Sequence, residues 1–392
     1  MGNFYVIVVD GLGVGAQEDA VDYGDTGENT LGHVCEQTGC KLPNLQRMGL
    51  GNIIRLKSVP EESDPLCAYG KMREVSAGKD STTGHWEIAG IQLSDPFPTY
   101  PDGFPTEVVQ TFCREIGVEQ VLVNKPYSGT EVIADYGEEH LETGFPIVYT
   151  SADSVFQVAT HVDVTPIDKL YNWCKLAREN ILQGEHGVGR VIARPFKGSA
   201  GNFERISDQR HDFSMRPPQN NLVNRLQEEG IKTYSIGKVI DLFAEQGFTQ
   251  FRRTKSNAEG IAQLLSLMSA VTDSFVFVNL IDTDQKYGHR LDPVGYAECL
   301  QELDRAIPAI VSKVQEDDIL IITGDHGNDP TSESTNHSRE FVPLLLFPVS
   351  KAAEVKLGIR ATFSDVASTA ADFFGITEEY PGTSMLNGRL SE

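Results

Sequence analysis

Ile319-Leu320-Ile321-Ile322-Thr323-Gly324-Asp325-His326-Gly327-Asn328-Asp329 is a short apolar run that stops at an acid and an imidazole and then turns through glycine. Ile319 to Ile322 are aliphatic throughout, which predicts a strand buried on both faces of a sheet. Asp325 and His326 then fall at the carboxyl end of that strand, where open α/β sheets bind their ligands. An anionic oxygen beside an imidazole nitrogen is half of a divalent-metal site. Read alone, the pair serves equally as a polar strand cap, with Asp325 accepting turn hydrogen bonds.

Two other stretches repeat the pattern. Phe4-Tyr5-Val6-Ile7-Val8-Val9 ends at Asp10, and Phe275-Val276-Phe277-Val278-Asn279-Leu280-Ile281 runs into Asp282-Thr283-Asp284-Gln285-Lys286-Tyr287-Gly288-His289. His337 lies eleven residues beyond His326, within Thr335-Asn336-His337-Ser338-Arg339. Three predicted strand ends thus deliver Asp10, Asp284 and Asp325, and the adjoining loops carry His289, His326 and His337. Random capping does not supply such a set. Two divalent cations close together would use it, clamping both oxygens of a displacement at phosphorus. Without cations the three carboxylates would repel one another; two dications against them leave a positive centre suited to an oxyanion. Gly11-Leu12-Gly13-Val14-Gly15 has only a superficial likeness to a dinucleotide fingerprint. Its spacing is wrong, and Asp10 precedes the glycines where it would repel a pyrophosphate.

The 392 residues allow a large domain and a smaller one, with an ordinary 40% apolar and 23% charged composition. Fifty-six acids against 33 bases give a formal net charge of −23, which argues against nucleic acid or an anionic membrane as partner. An anionic small substrate stays compatible where bound cations reverse the local field. No apolar run approaches the ~20 residues that cross a bilayer, and Met1-Gly2-Asn3 leads into the first strand with no basic leader. Cys35, Cys40, Cys67, Cys113, Cys174 and Cys299 are scattered, which predicts reduced thiols and a cytoplasmic enzyme.

Ser81 sits in Gly78-Lys79-Asp80-Ser81-Thr82-Thr83-Gly84-His85-Trp86-Glu87, ahead of a helical pattern. A hydroxyl there can cap the helix or act as a nucleophile near the positive helix end; spacing alone favours the cap. The proline clusters Asp95 to Pro101 and Arg216-Pro217-Pro218 suit domain boundaries. They predict an inserted domain over 99–216, between a core domain's first part, 1–98, and its second, 217–392. Within the insert, 147–149 and 189–193 read as strands and 167–183 as an amphipathic helix. Beyond it come helices over 221–229, 256–270 and 293–315, and strands over 232–236, 275–281 and 341–347. Strands alternating with helices predict an α/β fold with a mostly parallel sheet covered on both faces.

In combination, Val-Val-Asp10-Gly, the Ser81 motif, Asp284 with His289, and Gly-Asp325-His326-Gly-Asn-Asp with His337 resemble the alkaline phosphatase superfamily of two-metal phosphoryl-transfer enzymes. Gly78 to Glu87, Tyr149-Thr150-Ser151-Ala152-Asp153-Ser154 and Gly189-Arg190-Val191-Ile192-Ala193-Arg194 narrow the resemblance to its phosphopentomutase family, from Val6 to Gly382-Thr383-Ser384. The resemblance implies an alkaline-phosphatase-like core with an inserted α/β cap. It implies Ser81 as the phosphorylated nucleophile bridging the metals, Asp10, Asp325 and His326 on one ion, and Asp284, His289 and His337 on the other. Two Mn²⁺ are implied, although this ligand set also accepts Zn²⁺. Ser151 and Asp153 would lie near the sugar, and Arg190, Arg205 and Lys238 near its phosphate, a role that suits guanidinium forks. The bland reading of Arg190, Arg205 and Lys238 is solvated surface charge; Arg205 and Arg210 stand in a polar loop where it is stronger. Family members usually carry threonine at the position of Ser81, and Thr82 and Thr83 supply two further hydroxyls. The implied activity is an isomerase interconverting (deoxy)ribose 1-phosphate and (deoxy)ribose 5-phosphate, primed by a sugar bisphosphate such as glucose 1,6-bisphosphate. A two-metal phosphomonoesterase of the same superfamily is the alternative.

Overall fold

The computed structural model describes residues 2–151 and 153–386. It divides into two compact units, one formed by Met1–Asp95 with Pro217–Glu392 and the other by Pro96–Arg216.

The first unit is built on an eight-stranded sheet. Its strands run in the order Gln250–Arg252, Lys232–Ile236, Ser274–Leu280, Phe4–Val9, Ile319–Thr323, Val342–Phe347, Ala68–Met72 and Lys356–Arg360. The first five are parallel; Val342–Phe347 runs antiparallel to both its neighbours, and Lys356–Arg360 is parallel to Ala68–Met72. The sheet is thus mostly parallel, and its central strands are buried on both faces. Tyr5, Ile7, Val9, Val276, Val278, Leu320 and Ile322 point to one face, where they meet Leu264, Leu300, Leu303 and Ile307 of the helices Asn257–Met268 and Pro293–Val311. Phe4 and Phe275 point to the other and stack at 6.0 Å, with Phe373 of Asp365–Phe373 edge-on to Phe4. A period of two with apolar residues in both phases is what two-sided burial requires. Each large aliphatic chain so buried contributes about 1.5–3 kcal/mol.

The register decides where the chemistry falls. Ser274–Leu280, Phe4–Val9 and Ile319–Thr323 are adjacent, with Val9 opposite Leu280 and Val8 opposite Thr323. Their carboxyl ends therefore emerge side by side.

The second unit has its own sheet, in the order Leu122–Pro126, Ile147–Thr150, Val155–His161, Arg190–Ser199 and Asn202–Arg205, with His211–Ser214 also paired to Arg190–Ser199. Val148, Phe156, Val158, Val191 and Ala193 share one face with Leu170 and Trp173 of the helix Ile167–Leu176. Leu122, Ile147, Tyr149, Ala159 and Phe196 share the other with Val132 and Ile133 of the helix Glu131–Thr143. The helix predicted over 167–183 ends at Leu176 and continues as a π turn, Ala177–Ile181. No helix among the described residues is long and apolar enough to cross a membrane.

Candidate metal centre

Asp10 follows its strand by one residue, Asp325 by two and Asp284 by four, and all three carboxylates are buried. Asp284 lies in a π turn, Thr283–Tyr287, anchored by the Thr283 hydroxyl donating to the Asp10 carbonyl at 2.6 Å. His337 arrives by a different route. The loop after Asp325 doubles back through the bridge Gly327–Ser338, with paired backbone bonds of 3.0 and 2.8 Å, and this sets the His337 ring 4.0 Å from that of His326. Asp10, Asp325 and His326 offer ligand atoms within 4.8 Å of one another, and so do Asp284, His326 and His337. His289 joins the second group, its Nε2 3.4 Å from Asp284 and 3.1 Å from His337 Nε2. All six predicted ligands are together; His326 stands between the two groups.

The donor set fits divalent cations. His326 Nδ1 faces the Gly327 carbonyl at 3.0 Å and His289 Nδ1 faces the Thr335 carbonyl at 2.6 Å. A carbonyl can only accept, so each Nδ1 carries a proton and Nε2 is the nitrogen turned into the cluster, the orientation metal-ligating histidines take. Asp325 Oδ2 is buried and accepts no well-formed hydrogen bond among the described residues, with His85 Nδ1 and His326 Nε2 at 3.1 and 3.4 Å, whereas its Oδ1 accepts from the Gly11 N–H at 3.0 Å. Asn328 Nδ2 donates to Asp284 Oδ1 at 2.6 Å and orients that carboxylate from behind. The field has one sign. Burial pulls the His326 pKa down, but Asp325 and Asp10 override it and push it up to about 10. Burial likewise raises Asp10 and Asp284, yet Lys238 holds Asp10 below the ordinary carboxylate range, and His337 and His289 do so for Asp284. A cluster that holds protons on an imidazole this strongly attracts cations in general.

The Gly11-to-Gly15 turn serves the chain's own carboxylates. Gly11 takes φ +77°, and a Cβ on Gly13 would collide with Glu340, whose Oε2 accepts from the Gly15 N–H at 3.0 Å.

Ser81 opens the helix Ser81–Ile88, but it is not the cap. Asp80 is, accepting from the N–H groups of Thr82 and Thr83 at 2.9 and 3.3 Å. The capping role favoured by spacing passes to its neighbour, and Ser81 Oγ turns instead to the carboxylates. It lies 3.4 Å from Asp10 Oδ1 and 3.2 Å from His326 Nε2. The Thr83 hydroxyl is committed to Asp80 Oδ2 at 2.6 Å. Lys238 donates to Ser81 Oγ and to Asp10 Oδ2, both at 2.9 Å. Lys238 lies two residues past the strand Lys232–Ile236, which neighbours Ser274–Leu280, so it too is a strand-end residue.

In the second unit the register puts a row of charge on one sheet face. Arg190 and Arg194 flank Ile192 on the same side, Ile192 pairs with Asp212 and with Gln157, and Gln157 pairs with Tyr149. Arg190 reaches Asp153 at 3.6 Å and Asp212 at 3.5 Å. Arg210 grips Asp212 with a fork of 2.7 and 2.6 Å. Arg205, paired with Phe196, falls on this face as well, and a Cβ on Gly129 would lie 3.5 Å from its guanidinium and 2.8 Å from Tyr149 Oη. Ser151 Oγ accepts from the Asp153 N–H at 3.3 Å. The buried Tyr149 hydroxyl has no hydrogen-bond partner among the described residues. Arg190, Arg205, Ser151 and Asp153 therefore belong to the second unit, and Lys238 to the first. Arg194 and Asp212 are additions to the residues weighed from sequence, and Arg210, read there as a loop charge, is paired with Asp212; the signal for Arg194 was Arg190-x-x-x-Arg194, two bases at even spacing on one strand.

The profile of the Metalloenzyme superfamily matches residues 2–378. The chain is 52% identical to the phosphopentomutase of Caldanaerobacter subterraneus subsp. tengcongensis, over 97% of this chain and 96% of that one. It is 50% identical to the phosphopentomutases of Dictyoglomus thermophilum and Deinococcus radiodurans, over 97% of this chain and 97% and 98% of theirs. With identity at this level spread along nearly its whole length, the chain belongs to the phosphopentomutase family of the Metalloenzyme superfamily.

Proposed function

We propose that this enzyme interconverts the 1- and 5-phosphates of ribose or 2-deoxyribose by carrying a phosphoryl group on Ser81. The observation that carries the reading is the placement of Ser81 Oγ against Asp10, His326 and Lys238. Asp10, Asp325 and His326 would hold one divalent cation and Asp284, His289 and His337 the other. Mn²⁺ is the proposed metal in both, and it would supply Lewis-acid charge at the oxygens of the transferring group.

The chain's own groups do the rest. The Lys238 ammonium donates to Ser81 Oγ and stabilises negative charge on that oxygen; burial depresses its pKa, but Asp10, Asp284 and Asp325 raise it further, so it stays charged. Phosphorylated Ser81 gives its phosphoryl group to the free hydroxyl of a pentose monophosphate, leaving a bisphosphate. The bisphosphate returns its other phosphoryl group to Ser81 and departs as the isomeric monophosphate. A sugar bisphosphate such as glucose 1,6-bisphosphate would prime the serine by the same exchange. The unit Pro96–Arg216 is proposed as the cap, with Arg190 and Arg205 binding the phosphate and Ser151 and Asp153 the sugar. All six cysteines are free and buried, which suits a reducing cytoplasm.

Incubation with ribose 5-phosphate, Mn²⁺ and a trace of glucose 1,6-bisphosphate tests the reading. Ribose 1-phosphate should accumulate to equilibrium with little free phosphate; free phosphate as the main product would make the enzyme a phosphomonoesterase.

A further inference from the structure

Asn279 is a polar residue inside the strand Ser274–Leu280, flanked there by Val278 and Leu280, and His85 is a fully buried imidazole on the Ser81 helix. Neither belongs to the ligand set above. Their contacts join into one path. Asn279 Nδ2 lies 2.9 Å from Asp10 Oδ2 and 3.1 Å from His85 Nε2. His85 Nδ1 lies 2.8 Å from the Ser81 carbonyl oxygen and 3.1 Å from Asp325 Oδ2. The His85 ring also stacks on Phe277, at 5.5 Å and 28°.

The donor and acceptor pattern has one solution. A carboxylate can only accept, so Asn279 must present its amide nitrogen to Asp10, and the second amide hydrogen goes to His85 Nε2. Nε2 is then an acceptor, and the ring's proton sits on Nδ1, facing two oxygens. With its nitrogen committed, Asn279 leaves its own Oδ1 buried and without a partner among the described residues, a cost that a residue kept only for packing would not bear.

We propose that His85 and Asn279 are positioning residues, a relay that sets the Ser81 backbone and the Asp10 and Asp325 carboxylates in mutual register before a cation binds. The proposal rests on the reading that Asp10, Asp325 and His326 hold a cation. The relay reaches Asp10 and Asp325 and, among the described contacts, none of Asp284, His289 and His337. It therefore acts on one cation site and spares the other.

The test is titration of the metal-stripped full chain with Mn²⁺, following the electron paramagnetic resonance signal of free Mn²⁺, in the wild type, His85→Phe, His85→Asn and Asn279→Leu. His85→Phe keeps an aromatic ring against Phe277 and removes both nitrogens. His85→Asn keeps a donor close to the Nδ1 position. His85→Phe and Asn279→Leu should weaken one class of site by about 10–100-fold and leave the other at wild-type affinity, with His85→Asn in between. At saturating Mn²⁺, kcat for ribose 5-phosphate should fall while KM moves by less than about two-fold. Wild-type titration in folded variants overturns the relay, as does equal weakening of both sites. Loss of the folded state in all three also overturns it, because the pair would then be structural. Absence of mutase activity with a split titration would instead sink the proposed reaction and leave the relay standing.

Discussion

The strand ends of the eight-stranded sheet and the charged face of the six-stranded sheet both gather ionisable groups, with opposite sign and opposite degrees of closure. At the strand ends Asp10, Asp284 and Asp325 are buried, and each is oriented by a neighbouring donor: Asn279 for Asp10, Asn328 for Asp284 and the Gly11 N–H for Asp325. On the six-stranded sheet Arg190, Arg194, Arg205 and Arg210 outnumber Asp153 and Asp212, and their pairs reach 3.5–3.6 Å except for the Arg210 fork. The first arrangement is rigid and asks for positive charge. The second is half-open and asks for an anion. Phosphoryl transfer needs both behaviours: fixed charge at the reacting atoms, and adaptable recognition of the rest of the substrate.

The largest expected effect separates the hydroxyls. Ser81→Ala should lower turnover on the order of 10⁴-fold or more with the fold intact, whereas Thr82→Ala and Thr83→Ala keep the nucleophile. Rates and circular dichroism on purified variants check this, and transfer of the loss to Thr82→Ala would relocate the chemistry. Next comes chelation. A ligand at a hundred times its dissociation constant stabilises by about 2.7 kcal/mol, so EDTA should lower the melting temperature by several degrees. Asp325→Asn should shrink that difference, because it removes both a ligand and part of the repulsion among the buried acids. An Asp325→Asn variant as EDTA-sensitive as the wild type would disconnect Asp325 from the metal.

Apolar runs ending in acid made the centre of the first sheet legible, because two-sided burial demands continuous Val, Ile, Leu and Phe. Asp10, Asp284 and Asp325 followed from that pattern. The Gly327–Ser338 bridge did not, since nothing local marks a return of the chain, and His337 could be grouped but not placed. Ser81 read as the cap because spacing shows a good cap residue but not where its hydroxyl turns; the cap falls to Asp80, and only tertiary contact with Asp10 and His326 shows where Ser81 points. Arg210 read as a loop charge because its partner Asp212 lies on a four-residue strand, His211–Ser214, too short to show periodicity. Asn279 passed as one more residue of a buried strand, because its partner His85 sits 194 residues away.

Asp212 sharpens the contrast through pH. Burial raises its pKa, but Arg210, Arg190 and Arg194 more than offset this and hold it below the usual value. A depressed folded pKa gives stability that is present above the unfolded value of about 3.9 and is lost as pH falls through the folded one. Asp212→Asn should therefore cost about 1–2 kcal/mol near neutrality, and its denaturation midpoint should vary less with pH below about 4. Chelation should not alter that difference. If EDTA changed the cost of Asp212→Asn, the two clusters would be energetically coupled.

The smallest effect asks whether the rigidity at the strand ends depends on the Ser81 helix being capped. Asp80→Ala removes the acceptor for the Thr82 and Thr83 N–H groups and for the Thr83 hydroxyl. Loss of an N-cap costs about 1 kcal/mol, which urea denaturation resolves. Ser81 has a second anchor, its carbonyl bonded to His85, so the nucleophile should stay in place and turnover should fall by less than about ten-fold. A fall comparable to that of Ser81→Ala would mean that the cap, and not the buried relay behind it, holds the hydroxyl against the acids.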